Sequence, residues 1–110
     1  MDIERELEEY RSLTDQYATA KANRTYIEEF KKSKVALLMK RAERENHKSA
    51  AAQEREALAA EEYQQLLLGL QSAVEAEERL KYEIRRIEMS IEVWRTLRAD
   101  ERTERRAYGA

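Results

Sequence analysis

The sequence predicts an all-α fold: a long antiparallel two-helix hairpin of coiled-coil type, with a short helix or turn at its tip. Three observations predict it. Ala, Glu, Lys, Leu and Arg supply 68 of the 110 residues, above the roughly one-half that marks long helices and coiled coils. Proline is absent and glycine occurs only twice, so the residues that break helices are nearly missing. Apolar residues recur at alternating steps of three and four, the spacing of one helix face.

The whole chain, 1–110, reads as one helical domain with a helix over about 2–46, a tip segment over about 47–62 and a helix over about 63–107. In the first helix Asp2 is placed to cap, and Glu4 and Glu6 sit where a helix N-terminus favours negative charge. Its apolar seam runs Ile3, Leu7, Tyr10, Leu13, Tyr17, Ala20 and Ile27, with one longer gap before Ile27. The pattern then slides to Phe30, Leu37 and Leu38, as a nearly straight helix slides against a strict heptad.

Asn46 is suited to end that helix and Ser49 to cap the next. Residues 50–60 read as helical with a weak apolar face. They are either a short separate helix or the first turns of the long second one, and the sequence leaves both open. From Tyr63 the seam is clean. Tyr63, Leu66, Leu70, Ala73, Glu77, Leu80, Ile84, Ile87, Ile91 and Trp94 fill successive a and d positions, with Glu77 the only violation. The arginine-rich end, Arg95 to Arg106, suits a helix C-terminus, and Gly109 follows.

Charge supports the fold-back. The blocks 1–15, 31–48, 49–78 and 79–110 carry net charges of −4, +5, −6 and +3. A turn near residue 50 sets +5 beside −6 and −4 beside +3, and the short tip rules out a parallel arrangement. Each exposed pair is worth only about 0–1 kcal/mol, so the joint effect is on orientation and register. A single hairpin has a thin core. Leu67, Leu68, Val74, Tyr82, Met89, Val93 and Leu97 lie off the seam and predict a second face that joins another copy in a homodimer, as a four-helix bundle.

Composition also narrows function. With no cysteine, a disulfide framework and a cysteine zinc site are excluded. The opening MDIERELEEY carries five acids, so no secretory or transit peptide is expected. No apolar run approaches the roughly 18 residues that span a bilayer, and a cytoplasmic location and no membrane partner are expected. The only histidine, His47, lies four residues after Glu43, a spacing that brings two metal ligands to one helix face. One such pair falls short of a bundle metal site, which draws carboxylates from several helices, so a solvated turn residue is the expected reading. Neighbouring carboxylates such as Glu8 and Glu9 diverge by about 100° on a helix and do not converge on one atom. No catalytic residue, cofactor or metal is expected, and the protein reads as a non-enzyme.

Glu77 stands near the middle of the first helix in an antiparallel arrangement, within reach of Arg24 and Lys21. A polar core position of this kind fixes register at a cost in stability. Two positive clusters are the candidate contacts for a partner or nucleic acid. The first is Lys31, Lys32, Lys34, Lys40, Arg41, Arg44 and Lys48; the second is Arg95, Arg98 and Arg102, continued by Arg105 and Arg106. Tyr26 and Phe30 accompany the first and Trp94 the second. Basic residues with aromatics follow a phosphate backbone and stack bases, whereas pairing with the acidic blocks accounts for the same residues. The sequence pI near 5.6 weighs against a dedicated nucleic-acid binder.

Five segments carry a resemblance: Phe30-Lys-Lys-Ser-Lys34, Leu37-Leu38-Met39, Lys48-Ser-Ala-Ala-Ala-Gln-Glu-Arg-Glu-Ala57, Glu62-Tyr63 and Ile91-Glu-Val-Trp-Arg-Thr96. They resemble small helical proteins of tailed bacteriophages and prophages, often encoded near recombination and replication genes. The resemblance implies no catalytic residue. It implies a setting in the host cytoplasm and a protein partner in DNA recombination or replication, or a host nuclease or defence factor. The expected function is a helical interaction protein that presents the tip, about 44–63, and the aromatic C-terminal region. The alternative is a single-stranded DNA-binding accessory protein that uses the basic clusters.

Overall fold

The computed structural model describes residues 2–109. They form three helices, α1 (Ile3–Arg44), α2 (Ala50–Ala59) and α3 (Glu61–Ala107), with no strand among the described residues. The chain up to Ala18, together with the chain from Glu78 onward, makes one compact unit, and Thr19–Glu77 makes a second.

Each helix end has a local cause. At the start of α1 the Arg5 N–H donates to Asp2 Oδ1 at 3.2 Å, and the acidic first turn faces the positive end of the helix dipole. At its end Asn46 adopts φ 72°. The Asn46 N–H donates to the Glu43 carbonyl and the His47 N–H to the Ala42 carbonyl, the paired bonds of a Schellman stop. The helix therefore closes at Arg44, two residues before the end expected from the sequence. Ser49 caps α2 by accepting from the Ala52 N–H at 3.1 Å.

The open question over residues 50–60 has an answer: α2 is a separate helix. Ala60 turns to φ −63°, ψ 141° and interrupts the chain between α2 and α3. Its own N–H returns to the Ala57 carbonyl, while its carbonyl accepts from Tyr63 and Gln64. The Gln64 side chain reaches back to the Leu58 carbonyl at 2.9 Å. Helix α3 thus begins at Glu61, two residues earlier than expected.

The core is thin. In the Thr19–Glu77 unit Leu38, Ala42, Ala57 and Ala73 are buried; in the other unit Ile87 is fully enclosed. Along α3 every seam residue from Tyr63 to Trp94 is at least half-buried, Leu66, Leu70, Leu80, Ile84 and Ile91 included. Burying Ile87 alone contributes about 1.5–3 kcal/mol.

On α1 the structure corrects the expected seam. Leu7 and Leu37 are exposed, at 40% and 56%. The half-buried positions run Ile3, Glu6, Tyr10, Leu13, Tyr17, Ala20, Arg24, Ile27, Lys31 and Lys34, and then reach buried Leu38 and half-buried Arg41. Beyond Ile27 this three-four series is flanked by half-buried Phe30, Val35 and Met39 and buried Ala42, so the expected slide to Phe30 and Leu38 is present and only Leu37 lies outside it. Long charged side chains also take inner positions: Arg24 and Arg41 reach Glu77 and Glu62, whereas Glu6 Oε2 is buried without a hydrogen-bond partner.

Candidate functional site

The chemistry-bearing side chains fall into three groups. The first is built around Glu77, which is 8% exposed although it is charged. Arg24 fills the longer gap that the α1 seam leaves between Ala20 and Ile27, and its Nε pairs with Glu77 Oε2. A second bond runs from the same guanidinium to Glu77 Oε1 at 3.2 Å. Arg24 also holds Glu28, one turn on, at 2.8 Å. The hydrogen bond to Glu77 raises the Arg24 guanidinium above its ordinary range, opposed by partial burial and helped by the fields of Glu77 and Glu28. A carboxylate bound in this way by two N–H donors is a structural anchor.

In the same unit Arg41 pairs with Glu62. That hydrogen bond, followed by one from the backbone, holds the Glu62 carboxyl below the usual carboxylate range, and the positive fields of Arg41 and Lys34 add to it. As the contacts climb α1 from Arg24 to Arg41, they descend α3 from Glu77 to Glu62. In the other unit the Tyr10 hydroxyl donates to Glu88 Oε2 at 2.9 Å. This bond and the charge of Glu88 raise the phenol above its ordinary value. Arg86 binds Glu83 at 2.8 Å and lies 3.9 Å from Glu9 of α1.

The second group is the first basic cluster, and the structure divides it. Lys31, Lys34 and Arg41 are half-buried at inner positions of α1. Lys32, Lys40, Arg44 and Lys48 are exposed. The seven residues therefore do not form one outward-facing basic surface. His47, which follows the end of α1 and so leaves the helix face of Glu43, lies 4.0 Å from Glu56 of α2. Its carbonyl accepts from the Gln53 side chain at 2.9 Å. Among the described residues no three His, Asp or Glu side chains cluster as a metal site.

The third group is the C-terminal part of α3. The unit that holds it contributes α1 only from Ile3 to Ala18, while α3 continues from Glu78 to Ala107. The helix outruns its partner segment. Half-buried Trp94 is the last shielded residue, and every residue from Arg95 to Gly109 is exposed. The Arg98 guanidinium lies 5.3 Å from the Trp94 ring centroid, a cation–π contact that covers the ring at the end of the seam. Trp94, Arg95, Arg98, Glu101 and Arg102 line a shallow groove there. Only local pairs temper the arginines, Arg95 with Glu92 and Arg98 with Glu101, both at 3.4 Å.

Among the described residues no helix is long and apolar enough to cross a membrane. Comparison with protein families, curated proteins and solved structures finds no match to the chain.

Proposed function

We propose that the protein is a non-enzymatic helical interaction protein, an antiparallel helical hairpin that offers the exposed end of α3 to a protein partner. One observation carries the reading: α3 continues past the end of its α1 partner segment as an exposed, arginine-rich helix that starts at a tryptophan. A helix without intramolecular cover, with an aromatic anchor and arginines, is suited to helix-face docking, and Trp and Arg are the side chains most often dominant at interfaces. The arginines favour a partner with an acidic surface. The non-enzymatic part rests on Glu77, the most enclosed carboxylate, which Arg24 engages directly. The phage resemblance suggests the setting, a partner in DNA recombination or replication, or a host nuclease or defence factor.

A second reading, single-stranded DNA binding, draws on the same exposed arginines beside Trp94. It is weakened by the half-burial of Lys31, Lys34 and Arg41. A pair of assays separates the two. Tagged full-length protein and its Arg95→Glu/Arg98→Glu/Arg102→Glu variant are compared for proteins retained from a host lysate. Both are also titrated with short DNA strands at low and high salt. The protein reading expects a retained protein that the variant loses, and no DNA shift. A salt-sensitive DNA shift abolished in the variant transfers the assignment to the second reading.

A further inference from the structure

The outer side of α3, away from the Ile84–Ile87–Ile91 seam, carries Tyr82, Met89, Val93 and Leu97, which are 60%, 64%, 59% and 57% exposed. At about 100° per residue they fall within an arc of roughly 80°, on the opposite side of the helix from the seam. The stem of Arg86, Ser90 and Trp94 complete an apolar groove with Met89, Val93 and Leu97. Four large apolar side chains on one solvent-facing stripe are more than scattered surface apolars. They lie in a unit whose only fully enclosed large side chain among the described residues is Ile87.

We propose that this stripe is a homodimer interface in which α3 of one copy packs antiparallel on α3 of a second, with the two-fold axis at the level of residue 91. Charge on the same stripe selects that occupant and that direction. Arg79 precedes the apolar patch and Arg86 lies within it between Tyr82 and Met89, and Asp100 and Glu104 follow it on the C-terminal side. A parallel pairing sets each charge against itself. The antiparallel pairing sets Met89 against Val93 and the Arg86 stem against Leu97. It also sets Arg79 against Glu104 on one flank, and the Tyr82 hydroxyl against Asp100 on the other. The stripe is therefore complementary to its own reverse, the requirement of an isologous two-fold contact. Trp94 borders both this groove and the one it shares with the arginines, whereas Arg95, Arg98 and Arg102 line only the latter, so the dimer interface adjoins the arginine-bearing surface without including those three side chains.

Sedimentation of the full chain across the micromolar range tests this. The wild type is expected to show twice the monomer mass, and Val93→Glu the monomer mass with its helical circular dichroism retained. Arg79→Glu and Glu104→Arg each weaken dimerisation on the order of tenfold, because two exposed pairs change from attraction to repulsion. The two changes combined restore it. A wild type that stays monomeric throughout, or a dimer that survives Val93→Glu, overturns the interface. A combined swap that fails to restore dimerisation overturns the antiparallel direction.

Discussion

The Arg24 guanidinium of α1 binds both carboxylate oxygens of Glu77 in α3, and each residue marks a break in an apolar seam. Glu77 is the one acid among the seam positions of α3 from Tyr63 to Trp94, and Arg24 occupies the gap between Ala20 and Ile27. The two irregularities meet. A shift of one heptad along either helix parts them and brings the enclosed carboxylate to Tyr17 or to Lys31, neither of which offers the two-pronged guanidinium bond, which is how one pair favours one register of a thin seam.

Replacing an enclosed ion pair by apolar residues is often stabilising, whereas removing one partner is not. Arg24→Leu is expected to lower the melting temperature by several degrees, since it leaves the Glu77 carboxylate without its guanidinium. Glu77→Leu costs less, because Arg24 keeps Glu28 at 2.8 Å. Arg24→Leu/Glu77→Leu melts above both single variants and at or above the wild type. Thermal circular dichroism on the four proteins checks the order.

Ile87 is the only large side chain with no exposure among the described residues. Ile87→Ala removes buried methyl groups and leaves a cavity, at a cost of about 2–5 kcal/mol. Urea unfolding measures it, and Leu97→Ala, on the exposed side of the same helix, serves as the comparison at low protein concentration, with a change expected within about 0.5 kcal/mol.

The turn between α1 and α2 depends on two side chains. Ser49→Ala removes the cap on the Ala52 N–H and costs about 1 kcal/mol. Its effect concentrates in faster amide exchange over α2. Asn46 sits at φ 72°, where a Cβ is strained. Asn46→Gly is therefore neutral or mildly stabilising, and Asn46→Val is destabilising.

Two groups give stability a pH dependence of opposite sign. The Glu62 carboxyl is held low by Arg41 in the folded chain. Its contribution is full above the unfolded value of about 4.3 and is lost as pH falls through the folded value. The Tyr10 phenol is raised by its hydrogen bond to Glu88. Its contribution is full below the unfolded value of about 10 and is lost as pH rises through the folded value. Glu62→Gln is expected to flatten the acid limb of stability against pH, and Tyr10→Phe the alkaline limb, each leaving the other limb unchanged.

The all-helical class was legible in composition and spacing, and so were the caps, because Asp2, Asn46 and Ser49 are residue types with few other local roles. The α3 seam was legible because its members are apolar. The α1 seam was legible only in part: Glu6, Lys31, Lys34 and Arg41 are half-buried, and a hydropathy pattern counts them as outside. The break at Ala60 has no signal of its own, since alanine is the best helix former and the interruption is held by backbone bonds and Gln64. The exposed end of α3 was legible in part: the apolar seam stops at Trp94 and the following seam positions are Arg98, Glu101 and Arg105, while the shorter partner segment of α1 shows where cover stops.

The pairing register of α1 and α3 within Thr19–Glu77 is open to cysteine cross-linking, because the chain has no cysteine of its own. Ile27→Cys/Ala73→Cys matches the register set by Arg24 and Glu77, and Ile27→Cys/Leu66→Cys is one heptad off. Under mild oxidation the matched pair is expected to close an intramolecular disulfide rapidly and the offset pair slowly, with the difference shrinking in the Arg24→Leu/Glu77→Leu background. Equal closure of the two pairs in the wild-type background, or faster closure of the offset pair, contradicts the register and the role of the Arg24–Glu77 pair in setting it.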